Sequence, residues 1–124
     1  MDINVLVAGE SSTTRTNIVG WLKETGIQNI QEADNGDQTV DTFSNDPINL
    51  VLVDWKMQTK SGADVVEEIR KLNNDVIIFA TTAKAENVST WEADQPGISD
   101  YLLIPFTAED LKEKLDKFVV ALTS

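Results

Sequence analysis

Five short apolar runs recur along the chain, at Ile3 to Ala8, Asn29 to Ala33, Leu50 to Val53, Val76 to Ala80 and Tyr101 to Ile104. Each is rich in β-branched residues and of a length that suits a strand. Between the runs, apolar residues take helical spacing: Ile18, Val19 and Leu22; Val40 and Phe43; Val65, Val66, Ile69 and Leu72; Val88 and Trp91. The last segment has the clearest pattern. Thr107 followed three residues on by Asp110 resembles a capping box, and Leu111, Leu115, Phe118, Val119 and Leu122 form one stripe of a helix predicted to run to about Thr123. Gly26, Asn35-Gly36, Asp46-Pro47 and Gln95-Pro96-Gly97 fall between the elements as turn signals. Strict strand–helix alternation, with strands too apolar to face water on either side, predicts an α/β fold of the (βα)5 type. Its parallel sheet is doubly wound, with a helix layer on each face. No repeat, low-complexity tract or linker interrupts the pattern, so residues 1–124 are expected to form one domain.

Composition removes much chemistry. The chain has no cysteine and no histidine. That excludes a disulfide scaffold, a thiol nucleophile, thiolate or imidazole metal ligands and the commonest general base. An enzyme is not expected. Twenty-one acidic against ten basic residues give a formal charge of −11, which repels nucleic-acid phosphates and anionic membranes. No basic patch opposes this, so neither nucleic acid nor membrane is an expected partner. No apolar run is long enough to span a bilayer, and Met1-Asp2-Ile3-Asn4 has no leader character, so a cytoplasmic location is expected. An acidic surface is ordinarily a solvated one, but clustered carboxylates also hold hard cations such as Mg²⁺.

In open sheets of this class, ligands bind beyond the carboxyl ends of the strands. Those ends carry Gly9-Glu10, Asp54-Trp55-Lys56-Met57, Thr81-Thr82-Ala83 and Ile104-Pro105-Phe106. A carboxylate at a rigid strand terminus, beside a second from the next strand, can bind Mg²⁺ and attack a phosphoryl group to form an acyl phosphate. A hydroxyl such as that of Thr82 can donate to a phosphoryl oxygen.

Val5-Leu6-Val7 through Arg15, Leu50 to Asp54 with Met57 and Gly62, Thr82-Ala83, Asp100-Tyr101-Leu102 and Pro105-Phe106 before the last helix resemble the CheY-like response regulator receiver family. The resemblance covers essentially the whole chain, with the five pieces in order. It implies a flavodoxin-like sheet of strand order 2-1-3-4-5. It also implies that Asp54 accepts phosphate from the phosphohistidine of a sensor kinase or phosphotransfer protein, with Thr82 as phosphoryl contact and switch. Glu10, Asp54 and the Lys56 backbone carbonyl would be the Mg²⁺ ligands. Tyr101, Trp91 and Phe106 would belong to the switching surface that meets a downstream protein. Tyr101 serves equally as a half-buried packing residue, and helical spacing favours ordinary core packing for Trp91.

Two positions depart from the family pattern. Gly9 stands where receivers carry the first of two acidic residues, which implies weaker Mg²⁺ binding, although a glycine also simply permits a tight turn there. Ile104 replaces the lysine that contacts the phosphorylated aspartate. Lys56, two residues beyond Asp54, is a possible charge substitute or a solvated surface lysine. Gln58 implies a less rigid loop, and Ile104-Pro105 is a candidate cis peptide. A helix ending near Thr123 is expected to leave output to another protein, or the chain is an excised piece of a longer one. The competing expectations are a phosphorylation-independent receiver that serves as a binding module, and a flavodoxin-like FMN carrier. The flavin reading rests on the hydroxyl-rich turn Glu10 to Arg15.

Overall fold

A computed structural model describes residues 3–55, 57, 60–83, 97–104 and 106–118, the side chains of Ala83 and Ile104 excepted. The strands are β1 (Asn4–Ala8), β2 (Asn29–Ala33), β3 (Leu50–Asp54), β4 (Ile77–Ala83) and β5 (Asp100–Ile104). The described helices are α1 (Ser12–Glu24), α2 (Gly36–Asn45), α3 (Gly62–Leu72) and α4 (Ala108–Lys117). The helix expected around Val88 and Trp91, and the C-terminal residues from Val119 onward, lie outside the described residues. All strands pair in parallel in the order β2-β1-β3-β4-β5.

Alternation along the strands divides the core in two. Leu6, Ala8, Val51, Val53, Ile78 and Ala80 pack with Val65, Val66 and Ile69 of α3 and Phe43 of α2. The intervening residues Val5, Val7, Leu50, Leu52 and Phe79 pack on the opposite face with Ile18 and Leu22 of α1 and Leu111 and Leu115 of α4. The three central strands are therefore apolar at nearly every position because both of their faces are covered. β2 departs from the expectation of a two-sided apolar strand. Asn29, Gln31 and Glu32 are exposed, because an edge strand pairs on one side only.

Helix boundaries follow local chemistry. Ser11, Asn35, Ser61 and Thr107 are the N-caps, each accepting a hydrogen bond from the backbone N–H three residues on. The Thr107–Asp110 capping box is complete, with the Asp110 carboxylate accepting from the Thr107 N–H. Leu72, expected on the apolar stripe of α3, is instead 58% exposed, because it is the last helical residue and points past the edge of the core. β4 runs three residues beyond the expected Ala80. Its β-branched Thr81 and Thr82 continue the ladder between β3 and β5, where Asp54 pairs with Thr81 and Leu103 with Thr82.

Candidate functional site

The carboxyl ends of β1, β3 and β4 meet at the middle of the sheet. The backbone of Gly9, the first residue after β1, is fixed on both sides. Its N–H donates to the Ala33 carbonyl of β2 at 3.0 Å, and its own carbonyl accepts from Nη1 of Arg15 in α1. Nε of the same guanidinium pairs with Glu32 at 3.1 Å, so Arg15 ties the β1–α1 turn to β2. Arg15 entered the sequence pattern only as the end of a segment. Its pairing with Glu32 spans 17 residues and leaves no local signal.

Asp54 closes β3 and is half-buried. A Cβ placed on Gly9 would lie 3.4 Å from the Asp54 Cβ and 3.6 Å from Oδ2, so this carboxylate stands directly beside the position where a first-strand side chain is missing. The neighbouring strand supplies hydroxyls. Thr81 is the register partner of Asp54, and the Trp55 N–H donates to its carbonyl at 2.9 Å, extending the pairing past the aspartate. Thr82 is one residue further along β4 and 3% exposed. Parallel strand spacing and rise put its Cα about 6 Å from that of Asp54. By strand alternation Asp54 and Thr81 belong to the α1 face and Thr82 to the α3 face, so the two threonines flank the level of the carboxylate from either side of the sheet plane.

Gly62, the first residue of α3, lies directly against Trp55, the residue after Asp54. The Gly62 N–H donates to the Trp55 carbonyl at 3.1 Å, and a Cβ on Gly62 would come within 2.6 Å of the Trp55 ring and 2.8 Å of its Cα. Only glycine allows that approach. Lys60, between Trp55 and Gly62, pairs with Glu68 of α3 at 2.6 Å and Asp37 of α2 at 3.4 Å. The hydrogen bond to Glu68 is the main reason its ammonium pKa is raised above the ordinary 10.5.

Among the residues expected at the site, Asp54, Gly9 and Thr82 are brought together at the strand ends. Glu10 follows Gly9 and is exposed. Among the described residues no three carboxylates converge into a ready-made metal cage. Lys56, Trp91, Pro105 and the Ile104 side chain lie outside the described residues. Tyr101 is half-buried against the α3-side cluster. Phe106 requires a correction. Expected on the switching surface, it is 9% exposed and packs in the core between α1 and α4, its ring meeting Trp21 edge-on at 5.5 Å between centroids. An aromatic that follows an edge strand into a helix has the α1 face available, and burying a phenyl ring there outweighs leaving it in water. The hydroxyl-rich turn has a structural role: Ser11 caps α1 by accepting from the Thr14 N–H. Among the described residues no helix is long and apolar enough to cross a membrane.

Comparison with known proteins agrees with this geometry. Residues 5–116 match the family model described as "Response regulator receiver domain". The chain is 33% identical over 118 residues to chemotaxis protein CheY-3 of Vibrio cholerae, covering 94% of this chain and 91% of that protein. It superposes with a TM-score of 0.89 and 26% identity on a probable two-component system response regulator/GGDEF domain protein, covering 99% of this chain and 51% of that one. The receiver domain of sensor histidine kinase PA1611 from Pseudomonas aeruginosa, solved with magnesium in its active-site cleft, matches with a TM-score of 0.85, at 24% identity over 97% of this chain and 99% of that one. A (βα)-type sheet of order 2-1-3-4-5, an aspartate ending its middle strand, and a family match over nearly the whole length identify this chain as a member of the CheY-like response regulator receiver family.

Proposed function

We propose that this domain accepts a phosphoryl group on Asp54 from a histidine kinase or phosphotransfer protein and passes the signal on through protein contacts, without catalysing a reaction on a further substrate. Receiver domains interact with histidine kinases and with downstream effectors, and they typically bind Mg²⁺. The observation that carries the reading is the place of Asp54. It is the one carboxylate at the end of the central strand, half-buried, with the buried hydroxyls of Thr81 and Thr82 on the adjoining strand.

In the transfer, an Asp54 carboxylate oxygen forms the new P–O bond while the P–N bond of the donor phosphoimidazole breaks, its electron pair leaving on the ring nitrogen. The rigid strand end holds the nucleophile in line, and the Thr82 hydroxyl donates to an oxygen of the transferred group. The donor set fits Mg²⁺ in a reduced form. Asp54 and Glu10 offer hard carboxylate oxygens that would hold the ion, with the Lys56 backbone carbonyl as the further ligand that the family resemblance implies. When bound, the ion offsets charge on the phosphoryl oxygens. Gly9 supplies no carboxylate, so binding is weaker than a two-acid turn would give.

The test is intact-mass measurement after incubation with Mg²⁺ and a small phosphodonor, beside a titration of Trp55 fluorescence with Mg²⁺ and beryllofluoride. The native chain gains the mass of one phosphoryl group and responds to the mimic, whereas Asp54→Ala does neither. A native chain that stays unmodified and silent at millimolar metal would favour a phosphorylation-independent binding module. Gly9, which leaves Asp54 without a first-strand carboxylate beside it, is the observation that keeps that second reading open.

A further inference from the structure

Both peptide groups that flank Gly9 are held by atoms outside the β1–α1 turn. The Gly9 N–H donates to the Ala33 carbonyl at 3.0 Å, and the Gly9 carbonyl, which belongs to the peptide leading into Glu10, accepts from Nη1 of Arg15. Such ties matter more at a glycine than elsewhere, because glycine has no Cβ to confine its own φ and ψ. Arg15 is well placed to confine them. Its backbone N–H donates to the Ser11 carbonyl at 3.0 Å in the first turn of α1, and Ile18 and Leu22 anchor that helix in the core. Its guanidinium is held in turn by Glu32 of β2, 3.1 Å from Nε, and the Arg15 side chain is only 16% exposed. A planar fork bonded at both ends therefore fixes the direction in which the chain leaves β1.

We infer that Arg15 is a positioning residue for metal binding: by holding the Gly9–Glu10 peptide it sets where Glu10, the one carboxylate of this turn, is offered to Mg²⁺ beside Asp54. The use made of Glu10 rests on the Mg²⁺ reading above; the restraint on its backbone does not. Charge alone gives no reason for a cation here. A guanidinium near the strand ends repels a divalent ion, and Glu32 offsets that repulsion by pairing with it. The contribution is geometric. Mg²⁺ demands close to ideal octahedral directions from its ligands, and a glycine left free would spread the Glu10 backbone over many of the wrong ones. Groups that orient a ligand without touching the ion commonly change metal affinity by tenfold or more.

Arg15→Lys keeps the charge and removes the planar fork. At constant ionic strength, calorimetric titration is expected to show Mg²⁺ bound about tenfold more weakly than by the native chain. Gly9→Ala supplies the missing restraint by another route. The backbone accepts a Cβ there, its nearest neighbour lying at 3.4 Å, so in a Gly9→Ala background the same Arg15→Lys change should weaken Mg²⁺ binding clearly less. Native affinity in Arg15→Lys, or an equal or larger loss in the Gly9→Ala background, overturns the inference. ¹⁵N relaxation of the Glu10 amide in metal-free protein reads the restraint by itself: Arg15→Lys should raise its fast mobility, and the Gly9→Ala background should suppress the rise. A variant that only melts at lower temperature, with Glu10 as rigid and Mg²⁺ as tightly bound as in the native chain, would reduce Arg15 to a stabilising tie and overturn its positioning role. A native chain that binds no Mg²⁺, while the Glu10 amide loosens in Arg15→Lys, would instead sink the metal reading and leave Arg15 as the restraint on this turn.

Discussion

Asp54 and Gly9 are adjacent in space though 45 positions apart, and the space between them is a single missing side chain. A Cβ at residue 9 would meet the Asp54 Cβ at 3.4 Å, an ordinary contact, so the backbone accepts a side chain at this position. Gly9→Asp is therefore predicted to fold, and to have two opposed effects. Without divalent metal, two carboxylates a few ångströms apart repel, by at most about 4 kcal/mol at 4 Å and an effective dielectric near 20, and one of them takes a proton instead. The metal-free variant melts below the native chain. With Mg²⁺ the second carboxylate becomes a ligand, and affinity rises severalfold. Calorimetric Mg²⁺ titration, with thermal melts in the presence and absence of the ion, checks both signs; unchanged affinity would mean that residue 9 faces away from the metal. At this scale Asp54 was legible because an apolar run ends abruptly in a carboxylate. Phe106 was not, since the face an aromatic takes after the last strand depends on Trp21, some 85 positions earlier in the chain.

The β3–α3 loop shows how elements hold such a side chain still. α2 begins against this loop, where a Cβ on Gly36 would come within 2.5 Å of the Lys60 Cβ and 2.8 Å of its carbonyl, while Gly62 is pressed onto Trp55. At Gly62 the obstacle includes backbone, which cannot swing aside. Gly62→Ala is predicted to destabilise by about 1–3 kcal/mol, the usual range for overpacking, and to shift Trp55 emission. Chemical denaturation followed through tryptophan fluorescence measures both, and a stability within error of native would show that the loop yields. Lys60 adds a pH-dependent tie between α2 and α3. Its folded pKa is raised, chiefly by the hydrogen bond to Glu68, so its contribution is complete below the unfolded value of 10.5 and fades as pH climbs through the higher folded value. The stability difference between native chain and Lys60→Met is predicted to stay constant from neutrality upward and to vanish only in strong alkali. A difference that already shrinks near neutrality would refute the assignment. These ties were invisible in the sequence, because Lys60 pairs with residues 8 positions ahead and 23 positions behind it and matches no helical or strand spacing. The elements themselves were legible. Alternation of short apolar runs and helical stripes depends on local burial period, and it located all five strands to within a few residues. The misjudged features, the exposed face of β2 and exposed Leu72, lie at an edge and a terminus, where the neighbours that decide burial are absent.

Across the whole molecule, an excess of eleven negative charges makes any cation stabilising, so a Mg²⁺ effect on melting is not by itself a sign of a site. Diffuse charge and a strand-end site are separable because they depend differently on the ion. Screening of surface repulsion depends on ionic strength, with a Debye length of about 10 Å at 0.1 M, and saturates as salt is added. Binding at Asp54, as proposed, would depend on free Mg²⁺ by mass action. A millimolar site in about 10 mM Mg²⁺ would stabilise the folded chain by roughly 1.4 kcal/mol through RT ln(1 + [L]/Kd). Native protein is therefore predicted to melt at higher temperature in MgCl₂ than in NaCl of equal ionic strength. Asp54→Ala should show the shared response to salt and lose the surplus due to magnesium. The comparison isolates the strand end because the substitution changes the overall charge by only one unit in eleven and leaves the screening term almost intact. Equal melting curves in the two salts for the native chain would mean that the carboxylate beside Gly9 does not hold the ion, and the proposed phosphoryl transfer would then have to proceed without it. A surplus that persists in Asp54→Ala would place the metal elsewhere on the acidic surface.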